Sequence, residues 1–256
     1  MDRGFVIMAQ NTGTTDYVKC AEVLEASIKR VMPHANVTII TTDMLPYGDL
    51  APSSDWKLIN DWQVYDASPY EYTIKLEADM IVPTSIDHWW EILEHRDLVI
   101  ASTIRTFKGE IATSRFYRQF IDNNNLPDVY NAITYFKKST FAQEFFDTVK
   151  EIFNNWEAYK KILTCNIDEL ATTDWVYAIA CHIHGVENTT MPIFSDMSMV
   201  HMKQHINSLM TANWTDELVY EILPECLRVN TFVQLYPFHY HIKTFASKIE
   251  NAHARI

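Results

Sequence analysis

One stretch constrains this chain more than any other: Ser68-Pro69-Tyr70-Glu71-Tyr72-Thr73-Ile74-Lys75-Leu76-Glu77-Ala78-Asp79-Met80-Ile81-Val82-Pro83. Pro69 presets a turn dihedral. Tyr72, Ile74 and Leu76 then alternate with Thr73, Lys75 and Glu77, as a strand does. Residues two apart on an extended backbone share a face, so the strand delivers Glu77 and Asp79 pointing the same way at its C-terminal end. That is the edge at which open α/β sheets bind their ligands. The apolar run Met80-Ile81-Val82 follows. Two carboxylates between hydrophobic runs suit a Mg²⁺ or Mn²⁺ ion shared with a substrate diphosphate. Taken without its surroundings, the same acid pair is what a solvated turn carries.

Composition narrows what can be built around that stretch. The 256 residues are 48% hydrophobic and 21% charged, which suits one full core or two small ones. With only 5 glycines the chain has neither a G-x-G-x-x-G nor a Walker A loop, which disfavours a Rossmann dehydrogenase or a P-loop enzyme. A net charge of −12 argues against non-specific nucleic-acid binding by the overall field. Cys20, Cys165, Cys181 and Cys226 are far apart and read as free, mostly buried thiols in a reducing compartment. No apolar run reaches the ~18 residues of a membrane span. The opening Met1 to Phe5 leads straight into a strand and leaves no room for a secretory leader. A cytoplasmic location is the expectation, and the N-x-S/T triplets at Asn36, Asn188 and Asn213 are read as chance.

Along the chain, Phe5 to Ala9 reads as a buried strand and 10–15 as a polar turn. A helix over Asp16 to Met32 follows, capped by Thr14 or Thr15 and ended by Pro33. Asn36 to Thr42 reads as a second strand, with Asp43 at its end, and Lys57 to Tyr65 as a candidate third. Trp89 and Trp90 lie on a short helix capped by Ser85, as packing residues, and Asp97 to Ser102 is another buried strand. Residues 103–128 are the most basic stretch, with Arg105, Lys108, Arg115 and Arg118 among aromatics; they read equally as a lid over an anion and as a surface helix. A capping box at Thr140 to Gln143 leads into a helix ending near Phe153, with a second around Trp156 to Leu163. A further helix starts near Asp174 under a Thr172 or Thr173 cap. The tail holds a strand over Leu227 to Leu235 and the cluster Phe238-His239-Tyr240-His241-Ile242-Lys243, which could close an acceptor site or pack as an edge strand. Strands joined through helices imply an α/β fold with a mostly parallel central sheet flanked by helices.

The stretch ending in Glu77-Ala78-Asp79 resembles the metal-binding D-x-D motif of GT-A glycosyltransferases, and its surroundings look most like the retaining, glycogenin- and galactosyltransferase-like (family-8-like) branch. Tyr130 to Ser139 resembles that family's second central strand, and Val200-His201-Met202-Lys203 its closing His and Lys. The resemblance runs over residues 4–205. Glu77 stands where the family has Asp, and Ala132 where relatives often have Gly. The resemblance implies a GT-A catalytic domain over 1–210 with an insert or lid at 103–128, and an extension over 211–256 packed on it. It implies metal ligation by Glu77, Asp79 and His201, with Mn²⁺ (or Mg²⁺) as the ion. It places the nucleotide-sugar, with a UDP-linked donor preferred, against Gln10, Asn11, Thr12, Tyr17, Lys75, Ala78 and Lys203. The loop over 10–15 serves equally as a plain helix cap. Asp174, with Asp168 as second choice, would face the sugar, and Asn131 would meet its hydroxyls; either acid serves equally to complement a helix dipole. The activity implied is sugar transfer to a hydroxyl, with retention. The acceptor stays open among a glycan, a protein, a small molecule and a modified DNA base, and so does the oligomeric state. Two rival readings of the residues are a metal-dependent sugar nucleotidyltransferase and a non-catalytic nucleotide-sugar or glycan-binding module.

Overall fold

The computed structural model describes residues 2–164, 170–191, 196–223 and 226–253. A five-stranded sheet runs through its centre, built from β1 (Arg3–Met8), β2 (Val37–Ile40), β3 (Tyr72–Glu77), β5 (Leu98–Ala101) and β7 (Tyr130–Lys137). Across the sheet the strands stand in the order β2-β1-β3-β7-β5. β1 pairs parallel with β2 and β3, while β7 runs antiparallel between β3 and β5, so four of the five strands share one direction. Helices cover both faces, and the sheet is therefore mixed but mostly parallel, as the alternation of strand and helix in the sequence requires.

One face, with Phe5, Ile7, Ile74 and Leu76, packs on Cys20, Leu24 and Ile28 of α1 (Tyr17–Val31). The other, with Val6, Ile100 and Phe136, packs on Phe145, Val149 and Ile152 of α5 (Thr140–Asn154) and on Val176 and Tyr177 of α7 (Thr173–His184). β3 is therefore buried on both faces. Thr73 and Lys75, which read as the polar side of an alternating strand, are 0% and 1% exposed. Gly4 allows the close approach of the Tyr70 ring, since a Cβ there would lie 2.4 Å from ring carbons.

A second sheet is built from short strands far apart in sequence: β4 (Met80–Ile81), β6 (Thr103–Arg105), β8 (Ser198–His201) and β12 (Phe238–His239). Their order is β4-β12-β8-β6. β3 ends at Glu77 and β4 begins at Met80, so the acid pair marks the passage of the chain from one sheet to the other. β12 sets His239 opposite Met80 on one side and opposite His201 on the other. Trp214 is fully buried and its Nε1 donates to the Tyr240 carbonyl at 2.9 Å, which ties the region after 210 to this sheet. The small sheet of β9 (Tyr220–Ile222), β10 (Leu227–Val229) and β11 (Phe232–Val233) and the helix α9 (Phe245–His253) complete that region.

Several boundaries differ from the sequence reading for local reasons. Asp16, not Thr14 or Thr15, caps α1, accepting from the Lys19 N–H. Ser139 caps α5 in place of Thr140. Residues 57–65 are not a strand but a 3-10 turn over Leu58–Gln63 leading into α2 (Val64–Ala67). There Asn60 accepts from the Leu50 N–H and Gln63 accepts from the Tyr47 N–H, which ties this turn to the loop before it. The single strand expected over 227–235 is broken by Asn230, whose φ of 50° makes the turn of a hairpin. Shorter helices are α3 (Trp89–Leu93), α4 (Gln119–Asn123), α6 (Trp156–Tyr159) and α8 (Val186–Thr189). Among the described residues no helix is long and apolar enough to cross a membrane.

Candidate active site

Glu77, Asp79 and His239 meet where the two sheets join. His239 Nε2 lies 2.9 Å from Asp79 Oδ2 and 3.5 Å from Glu77 Oε2, and one ligand atom from each of the three falls within 4.8 Å of the others. Two ligands at about 2.1 Å from an ion and at right angles lie about 3 Å apart, close to the His239–Asp79 distance, so the trio could hold a Mg²⁺- or Mn²⁺-sized ion. Carboxylate and imidazole are also the donor types such ions accept. Lys243 Nζ sits on the same Asp79 Oδ2 at 2.6 Å and donates to the His241 carbonyl at 2.9 Å.

The electrostatics of the trio are uneven. Burial raises the Glu77 carboxyl above its ordinary value, more than the neighbouring His239 lowers it. Burial would raise Asp79 too, but His239 and Lys243 together hold it well below the usual range. Lys243 is raised, since the attraction of Asp79, with Tyr17 and Glu77, outweighs its own burial. Burial, with the nearby His239, pushes His201 well down, and it pushes His241 down to about 4. Those two imidazoles are neutral near pH 7.

The trio opens into a cavity of about 430 Å³. Of the residues expected on the nucleotide, Gln10, Thr12, Tyr17, Lys75, Ala78 and Lys203 line it. Asn11 instead uses its Oδ1 to accept from the Val18 N–H, at the start of α1. Gln10 is held by Asn60, which donates to its Oε1 at 2.7 Å. Under the cavity Lys75 Nζ pairs with Asp61 Oδ1 at 2.7 Å. Asp61 Oδ2 in turn accepts from Tyr177 OH at 2.6 Å and from Asn131 Nδ2 at 3.3 Å. Asn131 is therefore a buried strut of this network, 1% exposed, with its Oδ1 left without a partner.

A smaller recess of about 170 Å³ adjoins the cavity and shares Glu77, Thr173, Lys203 and His239 with it. Asp174 lines this recess and is fixed by Arg118, whose Nη1 donates to its Oδ2 at 2.9 Å. Arg118 is 2% exposed and also donates to Asp128 and to the Val129 carbonyl. Arg115 pairs with Asp122 and Asp128, and Arg105 donates to Ser198 and to the Gly109 carbonyl. These three arginines of the basic stretch thus have partners within the chain, Arg118 in a buried position and Arg115 at the surface. Asp168 lies outside the described residues, as does Cys165.

His201, read from the sequence as a metal ligand, is not in the trio. It occupies the neighbouring strand in register with His239, and its ring centroid lies 4.5 Å from that of His239. His201 lines the recess, with its Nδ1 buried and unpartnered. The place beside the acid pair falls to His239, because β12 lies between β8 and β4 and so stands nearer the pair. The sequence signal for it was the apolar-His pair Phe238-His239 with Lys243 four residues on, similar to Val200-His201 with Lys203 two residues on.

No protein-family model and no curated protein sequence matches the chain. Among solved structures, it is similar over 75% of its length to the WbbM bifunctional glycosyltransferase, at 13% identity and a TM-score of 0.46. It is similar over 75% to the glycosyltransferase GlyE of Streptococcus pneumoniae, at 9% identity and 0.46. It spans 39% and 46% of those two chains. The galactosyltransferase LgtC, solved with donor and acceptor sugar analogues, matches over 74% of this chain and 84% of its own, at 9% identity and 0.42. Likenesses this distant assign no donor, acceptor or mechanism to the chain.

Proposed function

We propose that the chain is a metal-dependent glycosyltransferase of the GT-A type that moves a sugar from a UDP-linked donor to an acceptor hydroxyl. The observation that carries this reading is the trio Glu77, Asp79 and His239, set at the mouth of a cavity large enough for a nucleotide and flanked by the ammonium groups of Lys203 and Lys243. In it, Glu77, Asp79 and His239 would hold Mn²⁺ (or Mg²⁺), which would supply Lewis-acid stabilisation of the leaving diphosphate. Lys203 and Lys243 neutralise the remaining phosphate charge. Gln10, Thr12 and Tyr17 hold the nucleoside, with Asn11 shaping their loop. Asp174, locked by Arg118, orients the sugar; a carboxylate so tied to a guanidinium serves better as an orienting group than as a nucleophile. Asn131 acts from below, through Asp61. Retention of configuration, and Asp168 as an alternative to Asp174, rest on the sequence resemblance alone.

The test is incubation with UDP-glucose or UDP-galactose and Mn²⁺, followed by product analysis. Release of UDP is the expected result. Pyrophosphate formation would mark a nucleotidyltransferase, and binding without turnover a non-catalytic module. In parallel, Asp79→Asn should abolish the Mn²⁺-dependent rise in melting temperature, since only a ligand of the folded state stabilises it. An unchanged rise in that variant would remove the metal assignment.

A further inference from the structure

The two edges of the central sheet are built differently. β5, at one end of the order, has a register break between Ile100 and Ala101, and its Ile100 is bridged by Thr190 at the end of α8. A bulge and a covering segment are devices that keep an edge strand from pairing further. β2, at the other end, has an unbroken register with β1 over Val37-Thr38-Ile39-Ile40. All four residues are β-branched, with no lysine, proline or glycine to blunt the edge. The Phe5 N–H donates to the Asn36 carbonyl at 2.8 Å, and the Ala9 N–H to the Ile40 carbonyl at 2.9 Å. In a parallel ladder that phase turns the main chain of Thr38 and Ile40 toward β1 and that of Val37 and Ile39 outward. Among the described residues, no hydrogen bond reaches the outward N–H and C=O groups of Val37 and Ile39.

We propose that β2 is the edge at which the chain pairs with a second copy of itself, antiparallel about a two-fold axis at Thr38, so that two five-stranded sheets become one. With Thr38 facing Thr38, Val37 stands opposite Ile39 of the second copy, and Ile39 opposite its Val37. Each of these pairs exchanges N–H···O=C bonds in both directions, which uses every outward group of the strand. The same patch meets itself, as the contact of a closed dimer requires.

The flanks decide for a second copy over an unrelated strand, since four hydrogen bonds cover far less than the ~1,200 Å² at which specific interfaces begin. Lys29 and Arg30 end α1 beside the start of β2, where Lys29 Nζ donates to the Ala35 carbonyl. Exposed Asp43 lies in the 3-10 turn over Thr42–Met44, just past the strand's other end. Antiparallel pairing carries the Asp43 turn of each copy to the Lys29 and Arg30 end of the other, so opposite charges meet twice. Met44, 48% exposed in the same turn, brings apolar surface to be covered there. No residue of β2 lines the cavity that holds Glu77, Asp79 and His239, so pairing leaves that site open and the inference is independent of the reaction.

The experiment measures the mass of the full chain by sedimentation equilibrium over a wide concentration range, with hydrogen exchange at low and high concentration. A dimer is expected, with the Val37 and Ile39 amides slowing as it forms and the Thr38 and Ile40 amides, already bonded to β1, changing little. Thr38→Lys sets two ammonium groups face to face across the axis, and Thr38→Glu two carboxylates. Each should weaken dimerisation about tenfold or more, and an equimolar mixture of the two variants should associate again, since opposite charges then meet. Thr38 Oγ1 also bonds the Tyr70 hydroxyl at 2.7 Å, so melting curves check that both variants are folded; hydrogen exchange on the natural chain decides the matter if they are not. A natural chain that stays monomeric throughout would overturn the proposal. So would a dimer of undiminished strength in both folded variants, a mixture that stays apart, or Val37 and Ile39 amides that exchange as fast in the dimer as in the monomer.

Discussion

At the scale of single residues, Asp79 Oδ2 is the most contested atom in the site. It receives His239 Nε2 at 2.9 Å and Lys243 Nζ at 2.6 Å, two groups that compete with or accompany any cation placed there. An ammonium on the shared oxygen repels a divalent ion and occupies one of its ligands. A donor diphosphate offers that ammonium another partner. Lys243→Met should therefore tighten Mn²⁺ binding in the absence of nucleotide, by about tenfold, a coupling of ordinary size. It should also remove most of the gain in Mn²⁺ affinity that UDP gives the natural protein. Titration of Mn²⁺ by electron paramagnetic resonance, with and without UDP, reads both; weaker Mn²⁺ binding in the variant without UDP would refute the competition. Glu77 and Asp79 were legible in the sequence because the strand period alone puts them at a sheet edge. His239 was not, because Val200-His201 and Phe238-His239 carry the same local pattern on adjacent strands. Only the long-range order β4-β12-β8 decides which imidazole faces the acids. Lys75 was placed on the right strand, but nothing local shows that its charge is buried against Asp61.

At the scale of elements, Arg118 joins three pieces of chain. From just before α4 it donates to Asp128, to the carbonyl leading into β7 and to Asp174 in the first turn of α7. Removing one partner from a buried ion pair leaves the others uncompensated and costs about 3 kcal/mol or more. Arg118→Met should lower the unfolding free energy by about 3 kcal/mol in urea melts, with Arg118→Lys in between, since an ammonium cannot reproduce the forked geometry. A loss below about 1 kcal/mol, the range of a surface pair, would show that the guanidinium does not tie these pieces together. The elements themselves were largely readable. α1, α5 and α7 have apolar faces at helical spacing, β1 carries an apolar run of strand length and β3 alternates as a strand does. The segment 57–65 misled because Leu58, Trp62 and Val64 suit a strand or a helix equally, and the bonds by which Asn60 and Gln63 tie it to the loop before it are not visible in that pattern. The partners of the insert's arginines were not readable for a related reason: they are spread over Asp122, Asp128 and Asp174, and the last of these is remote in sequence.

At the scale of the whole molecule, the site belongs to the full chain. A boundary at 210 separates 1–210 from His239 and Lys243, yet β12 is an interior strand of the second sheet. Buried imidazoles where the two sheets join give the fold a pH signature. His201 and His241 are both held below their ordinary value, by burial first and then by His239 and nearby lysines. Burial also lowers His184 on α7. A group with a depressed folded pKa binds fewer protons folded than unfolded, so its contribution to stability is present above about pH 6.5. It is lost as pH falls toward the folded value, about 4 for His241. Glu77 works in the opposite sense: its raised carboxyl favours the fold at low pH and loses that contribution as pH rises through its folded pKa. Asp79, held low, adds stability that disappears only in stronger acid. Between pH 7 and 5 the three imidazoles outnumber the one opposing carboxyl, and the melting temperature without metal should fall as acid is added. His241→Asn should flatten that fall, because it removes an imidazole that resists charging. Mn²⁺ should lift the melting temperature at pH 7 and lose its effect on acidification, since protons compete for the same ligands. Differential scanning fluorimetry across this range, with and without Mn²⁺, measures all three; a pH slope unaltered in His241→Asn would show that His241 titrates normally in the folded chain.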